Sequence, residues 1–152
     1  MPLRSAGIIV FRLADSGLEV LLVHPGGPFW ARKDVAAWSI PKGLCELDEE
    51  AEAAARREFT EETGFPVEGP LTALGDFKQT GGKIVTAFAL EGDFDAAAVR
   101  SNSFEIEWPP RSSRVAAFPE VDRAGWFGVA AAREKLLKGQ LAILDALLAH
   151  LA

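Results

Sequence analysis

Apolar and polar positions along the chain follow two periods, one of strand type and one of helix type. Ser5 to Leu13 and Leu18 to His24 are apolar runs of strand length, and Asp15-Ser16-Gly17 between them has turn chemistry. Pro25-Gly26-Gly27-Pro28 breaks the pattern and opens a loop to residue 37 that carries Phe29, Trp30, Arg32 and Lys33. Trp38-Ser39-Ile40 predicts a short extended piece stopped by Pro41. Asp48 to Thr63 is dominated by Ala, Glu and Arg and predicts a helix, with Asp48 as N-cap and Gly64 as terminator. Strands are expected over 71–79 and 83–90, joined by a hairpin turn at Thr80-Gly81-Gly82. Residues 92–113 are irregular apart from the alternating Phe104 to Trp108, which Pro109-Pro110 ends. A last strand is expected over 123–129, then helices over 129–138 and 140–151. In the second of these, Leu141, Leu144, Leu147, Leu148 and Leu151 repeat at helical spacing, as core packing requires. Strands on both sides of one central helix predict a mixed α/β fold in a single domain spanning 1–152.

Composition narrows the function classes. A net charge of −6 leaves no general basic coat, so nucleic acid is disfavoured as a partner. Cys45 is the one cysteine, which excludes an internal disulfide and fits a reducing cytoplasm. The apolar run Gly7 to Phe11 near the start is too short to span a membrane and lacks a signal-peptide layout. The expected setting is therefore cytoplasmic, with no membrane partner.

The acidic residues are not spread evenly. With Glu58 at zero on a helical wheel, Glu62 lies about 40° to one side and Glu61 about 60° to the other. Ala51, Ala54 and Ala55 fall on that same side, and small apolar residues mark the inward face of a helix. Three like charges on an inward face repel each other and resist desolvation. A hard divalent cation with oxygen ligands resolves that conflict. The bland alternative is a solvated acidic face paired to Arg56 and Arg57. The flanking glycines argue against it: Gly43 opens the segment after Pro41-Lys42, and Gly64 closes it before Phe65.

Gly43, Glu49, Arg57-Glu58-Phe59, Glu61-Glu62 and Gly64-Phe65 together resemble the Nudix box, and every fixed position of that pattern is filled across residues 43–65. The resemblance implies a Nudix fold, an α/β/α sandwich with a mixed β-sheet in which the box forms a loop–helix–loop. It implies Mg²⁺ or Mn²⁺ as cofactor, with Glu58, Glu61, Glu62 and the Gly43 carbonyl as metal ligands. Arg57 is similar to the family's orienting arginine, paired with Glu49 behind the ligands. The implied reaction is attack of water on a phosphoanhydride of a small nucleotide substrate, with Glu58, Glu61 and Arg57 among the catalytic residues. A homodimer is compatible with this reading.

Family members often carry a further glutamate beyond the box, and three candidates stand here. Glu105 and Glu107 share one side of an alternating segment. Glu120 precedes Trp126 by a spacing similar to that in related hydrolases and is the favoured choice. Pro41-Lys42-Gly43 resembles the entry to the box in the branch that hydrolyses diadenosine tetraphosphate. That likeness implies asymmetric cleavage to ATP and AMP, with Lys42, Trp30 and Lys83 as substrate-binding residues. Lys78, Phe29 and Trp108 are further candidates. The alternatives are a nucleoside triphosphate pyrophosphohydrolase and a non-catalytic nucleotide-binding module.

Overall fold

The computed structural model describes residues 3–152. β1 (Arg4–Ala14) occupies the middle of the sheet because its sequence tolerates burial on both faces. Ala6, Ile8 and Val10 join one apolar cluster, and Ile9 and Phe11 join another. A continuously apolar run rather than an alternating one is what a strand covered on both sides needs. β2 (Gly17–Pro25) follows antiparallel to it, so the Asp15-Ser16-Gly17 turn closes a hairpin. On the other edge β5 (Ile84–Glu91) runs parallel to β1, and β4 (Thr72–Lys78) runs antiparallel to β5. β8 (Val121–Gly128) pairs with β2, completing the order β4-β5-β1-β2-β8. The sheet is therefore mixed.

Helices cover both faces. α1 (Ala51–Thr63) lays Ala54, Ala55 and Phe59 on Ala6, Ile8, Val10, Leu21 and Phe88. α2 (Val129–Lys135) and α3 (Leu141–Leu151) cover the opposite face, where Ala132, Ile143, Leu144 and Leu147 pack with Ile9, Val20, Leu22 and Trp38. Each fully buried Leu or Ile in that layer contributes ~1.5–3 kcal/mol of transfer free energy. This is the α/β/α sandwich with a mixed sheet that the sequence implies.

Four local expectations need correction. Asp48 is not the helix N-cap: Glu50 is, and no side chain caps the first turn. The reason is a tight turn in which the Glu49 N–H donates to the Glu46 carbonyl, the Glu46 N–H donates to Glu49 Oε1, and Asp48 takes φ 64°. The extended piece at Trp38–Ile40 makes only single bridges, to Val23 and Leu136, while pairing resumes after Pro41 as β3 (Lys42–Leu44) against the start of β1. Buried Gln140 fixes that approach by accepting the Ile40 N–H and donating to Ser39 Oγ. No strand was expected over 114–122, yet β7 (Val115–Pro119) pairs there with β6 (Ser103–Glu107) in a separate two-stranded hairpin. The last strand starts at Val121 rather than Arg123, so Glu120 sits at the junction of β7 and β8.

Candidate functional site

α1 and β3 are pressed together by glycine. A Cβ added at Gly43 would lie 1.9 Å from Glu58 Oε2, and one at Gly7 would lie 2.6 Å from Lys42 Cβ. Only hydrogen at both positions lets the Glu58 carboxylate rest against the β3 backbone. Helix phase then grades the three glutamates. Phe59 and Thr63 are fully buried on the core side, so Glu62, nearest them on the wheel, is drawn deepest. The Glu58 side chain keeps 12% of its exposure and that of Glu61 keeps 37%.

This gradient sets the electrostatics. The Glu62 carboxyl is pushed up to about 8, first by burial and then by Glu120 and Glu58. The Lys42 N–H, which donates to Glu62 Oε1 at 3.3 Å, and the Lys42 ammonium pull the other way. Glu58 is raised mainly by burial, with Glu61 and Glu120 adding to it and Arg57 opposing. Glu120 is solvent-exposed at the cleft rim, yet its carboxyl is raised by partial desolvation and by Glu61. Lys42 is lowered by burial, a cation held in a pocket whose negative partners only partly compensate.

Arg57 ties this wall together. It grips Glu49 through two bonds, Nε to Oε2 at 3.0 Å and Nη2 to Oε1 at 2.8 Å, and donates to the Leu44 carbonyl at 3.0 Å. Its Nη1 reaches Glu58 Oε1 at 2.8 Å and Glu61 Oε2 at 3.3 Å. The bond from Arg57, with the Glu46 N–H second, lowers the Glu49 carboxyl to about 2. A planar fork held by one carboxylate and presented to two others fixes their rotamers.

Glu58, Glu62, Glu120, Lys42 and Gly43 line one cleft of about 650 Å³. Pro25, Gly26, Phe29, Trp30, Leu44, Phe104 and Ile106 complete its lining. Not every expected residue reaches it. Glu61 is outside the lining and is engaged by Arg57. Lys83 and Lys78 are exposed beside the 80–82 turn and line no part of the cleft. Glu107 accepts the N–H groups of Arg111 and Ser113 and so shapes the hairpin tip, and Glu105 lies exposed on the same face. Arg123 does not pair with Glu120; it lies near Asp122 and over the Trp38 ring. Trp108 is drawn to Phe29, ring centroids 5.7 Å apart. Cys45 is half-buried with its thiol pushed up by burial, which makes it a poor nucleophile.

Sequence reading missed two parts of the site. Phe104 and Ile106 alternate with Glu105 and Glu107, and an alternating strand has an apolar face that must cover something. Fully buried His24 was absorbed into a strand; its Nδ1 lies 2.9 Å from Asp122 Oδ1 and its Nε2 lies 2.6 Å from the Lys33 carbonyl, joining the 25–37 loop to β8. A histidine ending an apolar run beside a Pro-Gly-Gly loop was the available signal. The same loop is held at its far end by Asp34, which accepts from Trp38 Nε1 and pairs with Lys135.

The donor set fits a hard divalent cation. Glu58, Glu62 and Glu120 offer only oxygen, burial raises each of them with neighbouring glutamates adding to it, and the space a Cβ would take at Gly43 is given to a carboxylate. Among the described residues, no three such side chains are already drawn around a single point. The carboxylates share a wall and a charge conflict rather than a closed cage. Among the described residues, no helix is long and apolar enough to cross a membrane.

Compared with known proteins, the chain matches the family model described as NUDIX domain over residues 1–147. No curated protein matches by sequence. Among solved structures, the NUDIX domain of Shewanella oneidensis NrtR, complexed with ADP ribose, is similar at TM-score 0.69 and 19% identity, covering 100% of this chain and 90% of that one. A Caenorhabditis elegans Ap4A hydrolase binary complex is similar at TM-score 0.68 and 21% identity, covering 97% of each chain. MutT studied from Aliivibrio salmonicida and Vibrio cholerae is similar at TM-score 0.58 and 17% identity, covering 97% of this chain and 96% of that one. At these identities the likeness establishes the fold.

Proposed function

Because this chain belongs to the NUDIX domain family, and is by that membership a hydrolase of phosphoanhydrides, we propose that residues 1–152 work as one pyrophosphohydrolase domain on a nucleotide substrate. The observation that carries the reading is the shared cleft, in which Glu58, Glu62, Glu120, Lys42 and Trp30 all take part. Nudix hydrolases generally require divalent metal ions. Here Glu58, Glu61, Glu62 and the Gly43 carbonyl would hold Mg²⁺ or Mn²⁺, which when bound supplies Lewis acidity and shields phosphate charge.

The chain's own groups do the rest. Arg57, held by Glu49, keeps Glu58 and Glu61 from turning away from the wall they share. Lys42 binds a phosphate of the substrate as a point charge. Glu120 or Glu61 accepts the proton of the attacking water, which displaces the leaving phosphate in line. No side chain forms a covalent intermediate.

The substrate within this reading is diadenosine tetraphosphate, cut to ATP and AMP. Pro41-Lys42-Gly43 is similar to the entry to the box in that branch, and an Ap4A hydrolase is among the proteins sharing the fold. Trp30 provides stacking surface, with Lys33 Nζ 5.0 Å from its ring centre. Lys83 adds charge from outside the cleft. A cytoplasmic setting belongs to the same proposal. The test is a panel of dinucleoside polyphosphates and nucleoside triphosphates with Mg²⁺ or Mn²⁺, products resolved by chromatography. ATP and AMP should appear together, and excess EDTA should stop turnover while the fold persists. Two ADP molecules would mean symmetric cleavage. Release of pyrophosphate from a triphosphate alone would replace this substrate with the rival one.

A further inference from the structure

The β6–β7 hairpin has no core of its own, and a two-stranded hairpin is marginal unless its apolar face is covered. Phe104 and Ile106 form that face, and both stay only half-buried. Neither belongs to either hydrophobic core of the sandwich. Phe104 pairs with Phe118 across the hairpin at 6.1 Å, and otherwise both line the cleft.

The hairpin is also locked to the loop that faces it. A Cβ at Gly27 would lie 2.8 Å from Phe104 Cζ, and one at Gly26 would lie 1.9 Å from the Pro119 carbonyl oxygen. The Gly26 N–H donates to the Glu120 carbonyl at 2.9 Å, so the apolar wall and the Glu120 carboxylate share one rigid support. The cleft thus holds its carboxylates and the apolar surface of the hairpin in fixed relation. A ligand matching both is anionic at one end and flat and apolar at the other. Inorganic polyphosphate would leave Phe104 and Ile106 uncovered.

We infer that Phe104 and Ile106, which line the cleft together with Trp30, form the subsite that takes the nucleobase of the substrate, making the β6–β7 hairpin the element that selects base-bearing phosphates. This deepens the proposed function and rests on it for the identity of the phosphate end. The π-face of Phe104 and the flat side of Ile106 reward any base, and purines most because their stacking area is largest.

AMP and ribose 5-phosphate separate the two chemistries of the cleft, because they differ only in the base and neither contains an anhydride to hydrolyse. Binding of each is measured by calorimetry with Mg²⁺ present. Wild type should hold AMP about ten-fold tighter than ribose 5-phosphate, a ratio within reach of stacking on one aromatic ring. Phe104→Ala and Ile106→Ala should each remove most of that ratio and leave ribose 5-phosphate within about two-fold of wild type. Phe104→Leu keeps apolar volume and should retain an intermediate ratio. Glu105→Gln, on the opposite face of β6, should change nothing. Equal affinities in wild type, including no detectable binding of either ligand, would overturn the assignment. So would a ratio that survives both alanine variants, or a parallel loss for both ligands in all three hairpin variants. Loss of all anhydride hydrolysis with the AMP ratio intact would instead remove the catalytic reading and keep this subsite.

Discussion

α1 and α3 cover opposite faces of one sheet, and they bury opposite chemistry. α3 puts Ile143, Leu144 and Leu147 against the strands, so every buried group adds to stability. α1 buries Ala54, Ala55 and Phe59 over its first two turns and then carries Glu58 and Glu62 into the same low-dielectric layer. Its small residues bring the helix close to the sheet, and that closeness is what desolvates the carboxylates. One helix is therefore optimised for holding the fold. The other spends part of that stability on holding carboxylates close together out of water.

The sharpest break of this comparison is a cavity in α3. Leu144→Ala should cost about 2–5 kcal/mol in urea unfolding, while kcat/KM per folded molecule stays near wild type. A large catalytic loss at full stability would show that α3 has a role beyond packing. On α1 the expectation reverses. Glu58→Gln, Glu61→Gln or Glu62→Gln should each lower turnover by about two orders of magnitude, ~2.7 kcal/mol of barrier. Above about pH 8 metal-free melting should rise for Glu62→Gln, because a buried charge has been removed there. Near-normal turnover in both Glu61→Gln and Glu62→Gln would return α1 to the status of a solvated face.

A smaller effect tests whether the cluster extends beyond α1. Glu120→Gln should reduce turnover about ten-fold or more, and Glu105→Gln less than two-fold, since only Glu120 lines the cleft. The reverse ranking would move the distal carboxylate to β6. The smallest effect is on the pH dependence of melting without metal. Glu62 is pushed up from 4.5 to about 8, so the folded chain holds that proton more tightly than the unfolded chain. The resulting stability is complete below about 4.5 and is lost as pH rises through about 8. Glu49 is lowered from 4.5 to about 2, so its contribution holds above about 4.5 and is lost only in acid. Between about pH 5 and pH 9 Glu49 is silent, the raised Glu58 and Glu120 act in the same sense as Glu62, and the lowered Lys42 opposes them toward the alkaline end. Metal-free Tm should fall across that window by a few degrees, Mg²⁺ should recover the loss at the alkaline end, and Glu62→Gln should flatten the slope. A Tm that climbs with pH in the metal-free wild type would contradict the burial of Glu62.

The local sequence carried much of this. The three glutamates on one helical face, the alanines beside them and the glycines at both ends were readable because helical phase is a local property. Continuous burial of β1 was readable from an apolar run with no polar alternation. Asp48 misled because cap preference is weaker than the turn that the 46–49 segment makes with its own backbone. β7 was missed because Val115 to Pro119 is short and gains its strand character only from pairing with β6.

The sequence by itself determined which residues share a face of α1 and which glycines flank that helix, and from them it raised the expectation of a cation. Those facts depend on neighbours within a turn or two of the chain. Only the tertiary structure decided the rest of the site. Glu120 joins Glu58 and Glu62 because the hairpin returns the chain to the start of β8, and Trp30 and Phe104 come to line one cleft because the loop after β2 is clamped by His24 at one point and Gly26 at another. Contacts between such distant segments are set by sheet order and by the packing of elements that share no local pattern. For that reason the carboxylate wall could be counted from the sequence, while the rest of the lining had to be seen.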